Sequence, residues 1–451
     1  MLKKAIDTAR RIAGSLPFSL FLFLLASYFW CMKTDFYYQG NIYGILTFVG
    51  IISFLLILCD DTAVTLLPFL LTCMLAVRCY NSFDRFIVYA PWAAIPVAAL
   101  IFHFVAYRKP LRYGSSLFGI LAVTVAITLG GLFTIPAEQY FSGTSLFYIF
   151  GLGVGMIAAY FLTRSRYQPR EGYDVAERLL AVFYLASLFS FVMLGQYILT
   201  SLDSVKTWGI SVQWSNNLAT MLMFFLPAPF YYAVKKNRLH LIMAFLVYFA
   251  ILLTGSRGGF LMGTVEFALC FIYLARYDRP CRVILLSTVA AVLISVAVTV
   301  KAWLPLAESF ITTDEPRFRL MIRAFEDFAR NPVFGMGIGY QGNSDIYNPV
   351  KGAANWYHMM PFQIIGGFGL IGVAAYGYQF FGRMKLIFRK PTPKRLALGL
   401  SYSGVLLMSM VNPGEFCPVP YQFLAVLLFI LLENTEEGDQ DNAFPPLWNR
   451  A

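Results

Sequence analysis

The sequence contains three basic residues whose side chains could take part in a reaction: Arg257, Arg317 and His358. A guanidinium group is always charged, and its fork of N–H donors matches the oxygens of a phosphate. An imidazole with an unperturbed pKa of about 6.5 accepts a proton near neutral pH. These residue types could therefore bind a phosphate group and take up a proton.

Arg317 follows Pro316, and proline is favoured in the first turn of a helix. At 100° per residue, the predicted helix carries one charged stripe that contains Arg319, Arg323, Glu326 and Arg330. Such a stripe is commonly a solvated face with internal ion pairs. Arg317 lies on the opposite, apolar side, where an arginine needs a partner or an anion. Because the helix dipole favours an anion there, the sequence predicts a phosphate site; the alternative is that Arg317 turns outward.

Arg257 and His358 each have two interpretations. Arg257 lies in Leu253-Thr-Gly-Ser-Arg-Gly-Gly259, a reversal between two apolar runs. It either snorkels at the membrane interface or binds phosphate oxygens. His358 precedes another apolar run and is either structural or a proton acceptor. In the membrane topology that the charge distribution predicts, His358 is the one histidine on the outer face, whereas His103 and His240 fall towards the cytoplasmic side.

The elements that position these residues are membrane helices. The chain has 451 residues, of which 59% are apolar and 13% charged, whereas a soluble chain has about 45–50% and 25%. This composition excludes a soluble globular protein and predicts an all-α, polytopic bundle of about 12–14 spans. The apolar runs are 15–32, 43–59, 62–79, 87–106, 114–134, 144–163, 179–200, 217–234, 239–254, 258–275, 283–302, 359–382, 396–411 and 418–432. The first run lacks a clear cleavage site, which favours an uncleaved helix over a signal peptide.

The charge distribution predicts the orientation. With the N-terminus in the cytoplasm, 24 of the 35 Lys and Arg residues fall on cytoplasmic segments, as the positive-inside rule requires. The net charge of +11 is thereby explained without nucleic acid. We expect one integral membrane domain, 1–451, with both termini cytoplasmic and an acidic tail, 433–451. The long loop 303–357 falls on the outer face, where its helical pattern predicts a folded cap.

Motifs in this region resemble those of the O-antigen ligase and O-antigen polymerase family of bacterial membrane glycosyltransferases. They are Thr254-Gly-Ser-Arg-Gly258, Arg317 before Asn331-Pro-Val-Phe-Gly-Met-Gly337, and His358 with ten residues before Gly369. The resemblance covers roughly residues 240–385. The family often has an aromatic residue four positions after the loop arginine, where this chain has Met321. Arg319 and Arg323 are therefore alternatives to Arg317.

The resemblance implies a GT-C-like ligase fold and a glycosyltransferase in the cytoplasmic (inner) membrane, with its active site on the outer face. The donor would be a glycan on undecaprenyl diphosphate, and the acceptor a glycan or a lipid. Arg257 and Arg317 would stabilise the leaving diphosphate, and His358 would be the general base. Substrate-binding residues would be Arg319, Arg323, Ser256 and Gly369. No cofactor or metal ion is implied.

A lipid-linked glycan flippase or polysaccharide transporter is the main alternative. A transporter usually places ionisable groups near the middle of the bilayer. The predicted spans are nearly free of charge, with Glu266 the main exception, and the candidate groups gather on the outer face. This pattern favours the enzyme. A scaffold with an outer cap would explain the fold but not a histidine beside arginines. Membrane lipid and polysaccharide-assembly proteins are the expected partners, and nucleic acid is not.

Overall fold

The computed structural model describes residues 2–32, 39–77, 91–107, 113–166, 174–201, 215–284, 286–287, 315–343, 345–346, 356–413, 415 and 420–434. Within these ranges the regular structure is helical, without strands, which confirms the predicted all-α bundle. Most of the run 283–302 and most of the tail 433–451 lie outside the described residues.

The first half of the chain contributes eleven described α-helices. They are α1 (Leu2–Ala13), α2 (Leu16–Cys31), α3 (Gln39–Leu58), α4 (Leu66–Ala76), α5 (Ala94–Ala106), α6 (Ser115–Leu129), α7 (Ala137–Tyr140), α8 (Gly143–Ile149), α9 (Gly155–Arg166), α10 (Val175–Ser187) and α11 (Phe189–Ser201). A short 3-10 helix, Thr62–Thr65, precedes α4, and a π-helical turn, Phe150–Val154, joins α8 to α9.

The second half contributes eight. They are α12 (Ser215–Phe225), α13 (Pro227–Lys235), α14 (His240–Leu253), α15 (Arg257–Tyr277), α16 (Glu315–Arg330), α17 (Met360–Phe388), α18 (Pro393–Ser409) and α19 (Pro420–Asn434). Their starts follow local chemistry. Thr392, for example, accepts a hydrogen bond from the Arg395 N–H, and Pro393 occupies the first turn of α18.

Five continuous helical stretches in the described part of the chain are long and apolar enough to cross a membrane: Gly143–Arg164, Val175–Gln196, Ser215–Lys235, Arg257–Tyr277 and Met360–Phe388. The bent pair α1–α2 would be a sixth if it is one span. The other predicted runs that the structure describes coincide with shorter helices. Run 217–234 is divided into α12 and α13, because Pro227 supplies no N–H donor at that point. The polytopic character is thus confirmed, and the number of 12–14 spans stays a prediction.

The core lies around α12 and α13, whose residues are almost all buried. Large side chains such as Trp30, Phe224 and Tyr402 belong to one apolar cluster that joins both halves of the chain. A second cluster joins α6, the residues after α16, and α17. The outer helices expose large apolar side chains, among them Phe54 and Phe249, as expected where lipid is the solvent.

Helix α17 is broken at Gly369, whose φ of 59° and ψ of −152° are not helical. The N–H groups of Leu370 and Ile371 donate to the carbonyl oxygens of Pro332 and Val333, at 2.8 and 3.3 Å. A Cβ atom at Gly369 would lie 2.6 Å from the Pro332 oxygen. Only glycine fits this backbone contact and this dihedral angle.

The other side of the break is bonded to the same segment, residues 331–339. The Met336 and Gly337 N–H groups donate to the carbonyl oxygens of Gly366 and Gly367, at 2.9 and 2.7 Å. Segment 331–339 therefore bonds the carbonyl groups on one side of the break and the N–H groups on the other. Irregular backbone at membrane depth is tolerated where protein buries and bonds it in this way.

Segment 331–339 also packs against the end of α6. Gly131 has a φ of 81°, and a Cβ atom there would lie 2.8 Å from the Met336 oxygen. The Thr134 hydroxyl donates to the Gly335 carbonyl oxygen at 2.6 Å. The segment is thus fixed between α6 and α17, and it connects α16 to the transmembrane bundle.

Candidate active site

Helix α16 packs its apolar side against α17, as its sequence predicts. Leu320, Ala324 and Asp327 are fully buried on the packed side, and Arg317 and Met321 are half-buried next to them. The opposite side is exposed and carries Arg319, Glu326 and Arg330. Arg317 is therefore turned towards the protein rather than towards the charged stripe.

His358 lies two residues before α17 and has a φ of 56°. Left-handed backbone is uncommon for residues other than glycine and costs roughly 1–3 kcal/mol, so the surroundings must hold it. The side chain is half-buried. Strain of this kind is often found at functional sites, where it fixes one side-chain direction.

Tyr357, the residue before His358, fixes this backbone. Its ring is fully buried. The Tyr357 N–H donates to Gln363 Oε1 at 3.0 Å, and its hydroxyl donates to Asp327 Oδ2 at 2.8 Å. Gln363 and Asp327 are also buried. Tyr357 consequently ties α16, α17 and the residue before His358 into one unit, which we call the Tyr357 clamp.

The structure brings Arg317 and His358 into one electrostatic environment. Burial first, and then the positive charge of Arg317, lower the pKa of His358 to about 4. A charge acts on a pKa in this way only over a short distance. The imidazole is therefore neutral at pH 7, with a nitrogen lone pair that can accept a proton.

Arg257 lies at the start of α15, beside the residues that follow α18. A Cβ atom at Gly258 would lie 2.9 Å from Val411, which follows α18. Arg257 itself is exposed at the first position of α15.

Ser256 has a structural role at the start of α15. Its hydroxyl accepts a hydrogen bond from the Gly259 N–H at 2.8 Å and donates to Asn216 Oδ1. Ser256 is thus the N-cap of α15 and links it to α12. Gly255 before it has a φ of 70°, which permits the reversal. Ser256 fixes the direction in which Arg257 leaves the helix.

Arg319 and Arg323 differ from each other. Arg323 donates to the Gly342 carbonyl oxygen at 2.8 Å and pairs with Asp345 at 3.3 Å and Glu326 at 3.4 Å. Arg323 thus forms the internal ion pairs that are common on a charged helix face. Arg319 is exposed on the same stripe. Their predicted role in substrate binding, like that of Ser256 and Gly369, stays a prediction.

The sequence interpretation missed the Tyr357 clamp. One signal was available for Asp327: at 100° per residue it falls between Leu320 and Arg323, at the border of the apolar side and the charged stripe. No local pattern marks Tyr357 or Gln363, because their partners come from separate elements. Burial raises the pKa of Asp327 above its usual value, although the hydrogen bond from Tyr357 opposes this.

The other two histidines have structural partners. His103 Nδ1 lies 2.8 Å from the Leu56 carbonyl oxygen, and His240 Nδ1 lies 2.9 Å from the Tyr184 hydroxyl. Within the described part of the chain, no three His, Cys, Asp or Glu side chains form a group that could hold a metal ion.

Comparison with protein families gives one match. Residues 242–377 match the family model described as O-antigen ligase. This range runs from α14 into α17 and contains Arg257, Arg317 and His358. The match confirms the resemblance of this region to the O-antigen ligase and polymerase family that the motifs predicted. No curated protein matches the chain.

The fold defines a polytopic membrane protein. The matched family implies, in general terms, activity of the O-antigen ligase or polymerase type on lipid-linked glycan and acceptor substrates.

Proposed function

We propose that the protein transfers or polymerises a glycan from an undecaprenyl-diphosphate-linked donor. The reaction would take place at the outer face of the cytoplasmic membrane, as in an O-antigen, capsule or exopolysaccharide polymerase or ligase. The positive charges of arginine side chains would stabilise the leaving diphosphate, without a metal ion. The observation that carries this proposal is the strained backbone of His358, which the Tyr357 clamp holds next to α16, together with burial and the charge of Arg317, which lower the pKa of that histidine.

The reaction needs one bond to form and one to break. A hydroxyl oxygen of the acceptor attacks the anomeric carbon of the donor, and the bond from that carbon to the diphosphate oxygen breaks. The hydroxyl proton passes to the unprotonated nitrogen of His358, which acts as general base. The undecaprenyl diphosphate leaves with the electron pair of the broken bond.

Negative charge grows on the leaving diphosphate, so fixed positive charge near it lowers the barrier. Arg317 meets this need from the first turn of α16, where the helix dipole also favours an anion. Arg257, the first residue of α15, would bind a second diphosphate oxygen. Exposed Arg319 would attract the donor before it reaches Arg317.

The bound donor would also change His358. Its diphosphate, next to Arg317, would offset the charge that holds the imidazole pKa low. The histidine would therefore become a stronger base only in the substrate complex. Such a base stays unprotonated in the empty enzyme and accepts the hydroxyl proton when the acceptor attacks the donor.

The distribution of basic residues supports an active site on the outer face. Segments that alternate with the loop 303–357 hold most of the Lys and Arg residues, which favours their placement in the cytoplasm. Both termini, including the acidic tail 433–451, would then be cytoplasmic.

A transporter explains these features less well. A broken helix often marks a transporter site, but the break at Gly369 is filled and bonded by segment 331–339. Glu266, the carboxyl group in the middle of α15, accepts a hydrogen bond from the Ser403 hydroxyl at 2.9 Å. Neither feature offers an open site along the described helices.

The proposal is tested by His358→Gln in a strain that lacks the chromosomal gene. His240→Gln is the matched control, because it removes a histidine that contacts Tyr184 instead. We expect His358→Gln to abolish polymeric or ligated glycan at normal protein levels, and His240→Gln to preserve it. Glycan at wild-type levels in the His358→Gln strain would exclude the general-base role.

A further inference from the structure

A second site lies at the far end of α17. A cavity of about 380 Å³ opens there between the start of α6, the last turns of α17, and α19. Gly382, which lines it, follows Met360 by 22 residues, or about 30 Å of helix at 1.5 Å per residue. That distance matches the thickness of a bilayer core, about 30 Å. The cavity thus lies near the opposite membrane face from His358 and takes no part in the proposed reaction.

The charged lining of this cavity is basic. Arg383, Lys385 and Arg389 line it, together with the hydroxyl groups of Ser115 and Ser116. No acidic side chain is among its described lining residues. Glu433 lies behind the two serines, where it accepts hydrogen bonds from the Ser115 hydroxyl and the Ser116 N–H, both at 2.9 Å. That carboxylate is therefore held by the start of α6, and the polar part of the cavity suits an anion.

Arg383 provides an independent sign of a ligand. Its side chain is 6% exposed. One guanidinium nitrogen, Nη1, donates to Glu415 Oε1 at 2.9 Å and to the Tyr402 hydroxyl at 2.7 Å. The other, Nη2, is buried and has no hydrogen-bond partner among the described residues. A buried N–H group of this kind leaves a hydrogen bond unmade, and Arg383 is one of the residues that line the cavity, so an acceptor bound there could supply the missing bond.

The remaining walls are apolar. Ile120, Leu386, Val426 and Phe429 line the inside, and Phe381 lies at the rim with 73% of its surface exposed. On a transmembrane helix, an exposed phenylalanine faces acyl chains. A free phosphate ion would use the basic groups and leave these walls empty. A lipid with a phosphate-bearing headgroup would use both.

We propose that this cavity binds an anionic phospholipid. The headgroup phosphate is attracted by the positive charges of Arg383, Lys385 and Arg389, which line the cavity. The acyl chain lies along Phe381 and the apolar walls. Basic pockets between transmembrane helices bind anionic lipid headgroups by the same combination of charge and apolar contact. The lipid would hold α6, α17 and α19 together at the end of the bundle distant from the catalytic centre.

Native mass spectrometry of the full-length protein in detergent tests the proposal, with phosphatidylglycerol and phosphatidylcholine of equal chain length as probes. We expect wild-type protein to retain phosphatidylglycerol preferentially. The double variant Lys385→Gln/Arg389→Gln should weaken this binding by about tenfold or more, since each charge-assisted contact contributes at least ~1.4 kcal/mol. Arg383 is left intact, because its removal would strand the buried Glu415.

A second pair of variants tests the location. A Cβ atom at Gly382 or at Gly377 meets nothing within 4 Å, but only Gly382 lines the cavity. Gly382→Leu should fill the cavity and abolish the preference, whereas Gly377→Leu should leave it unchanged. The proposal is overturned by equal retention of both lipids, by a preference that survives Gly382→Leu, or by inorganic phosphate raising the thermal midpoint as much as phosphatidylglycerol does. The last result would indicate a site for a soluble anion.

Discussion

At the scale of single residues, the centre depends on how the fold treats His358 and Arg317. Both are half-buried, and the charge of the arginine acts on the imidazole. A neutral histidine beside a fixed positive charge is suited to a substrate that carries its own negative charge. The binding of a diphosphate would complete the charge balance that the empty site lacks.

This arrangement predicts a characteristic pH dependence. The acid limb of kcat/KM reports the free enzyme and should fall near pH 4, because burial and Arg317 lower the pKa of His358 to about 4. The acid limb of kcat should lie at higher pH, because the bound diphosphate offsets Arg317. Arg317→Gln should leave a slower enzyme whose kcat/KM limb moves towards the usual value of about 6.5. A wild-type limb already at 6.5, or no movement in the variant, would contradict the account.

The Tyr357 clamp predicts a positioning role for Asp327. Asp327→Asn keeps an oxygen that accepts from the Tyr357 hydroxyl, so activity should be nearly retained. Asp327→Leu and Tyr357→Phe lose the 2.8 Å hydrogen bond, worth roughly 1.5–3 kcal/mol for a charged acceptor. We expect both to lower kcat with little change in KM, in assays normalised to folded protein. Equal inactivation by Asp327→Asn and Asp327→Leu would instead require the carboxylate charge itself.

Part of this site could be predicted from residue types and their spacing alone. A charged guanidinium on the apolar side of a helix is visible at 100° per residue, and Arg317 is indeed turned inward. The Tyr357 clamp could not be predicted, because a hydrogen bond between residues 30 positions apart depends on how α16 lies against α17.

At the scale of elements, the centre rests on the break in α17. Segment 331–339 bonds both sides of the break and packs against α6. The residue before His358 is tied to α17 on one side and to α16 on the other. A shift of segment 331–339 would therefore move the arginine and the histidine relative to each other.

Glycine substitutions test this element. Gly369→Ala and Gly335→Ala should each destabilise the protein by about 2 kcal/mol or more, because both positions have positive φ and a Cβ atom would contact backbone at 2.6 Å or less. Gly377→Ala, on the same α17 helix, meets nothing within 4 Å and should be neutral or stabilising by up to about 1 kcal/mol. Thermal unfolding in detergent measures the difference. Equal midpoints for all three variants would show that the break is not required.

The sequence predicts that these glycines allow close packing, but not which part of the chain packs against them. The series from Gly366 to Gly372 predicts close helix packing, and close packing is found, but against irregular backbone rather than a second helix. The run Gly335-Met-Gly-Ile-Gly339 has no strand before it, which argued against a nucleotide loop. Nothing local to either run shows that the two meet, because their pairing is a tertiary contact.

At the scale of the whole molecule, composition was sufficient for the class, whereas the orientation that the charge distribution predicts stays a prediction. An apolar content of 59% leaves too little polar surface for a soluble fold, and the exposed apolar side chains of the outer helices agree with this. The number of spans was less predictable, because six of the described apolar helices have only 10–17 residues.

Cysteine labelling tests the orientation. Asp345 is exposed beyond α16, so Asp345→Cys should react with a membrane-impermeant maleimide in intact cells. Glu437→Cys, in the acidic tail, should react only after permeabilisation, and wild-type protein gives the background from the native cysteines. The reverse pattern would put the proposed active site on the cytoplasmic side.

The central claim is that this membrane protein breaks a glycosyl–diphosphate bond with His358 as its base. Purified wild-type and His358→Gln proteins in proteoliposomes, supplied with a radiolabelled lipid-linked glycan, acceptor and a metal chelator, test it most directly. The account predicts that the wild-type protein transfers the label to the acceptor and releases undecaprenyl diphosphate, and that His358→Gln does neither. Movement of the intact donor across the bilayer without transfer, or wild-type transfer by His358→Gln, would contradict it.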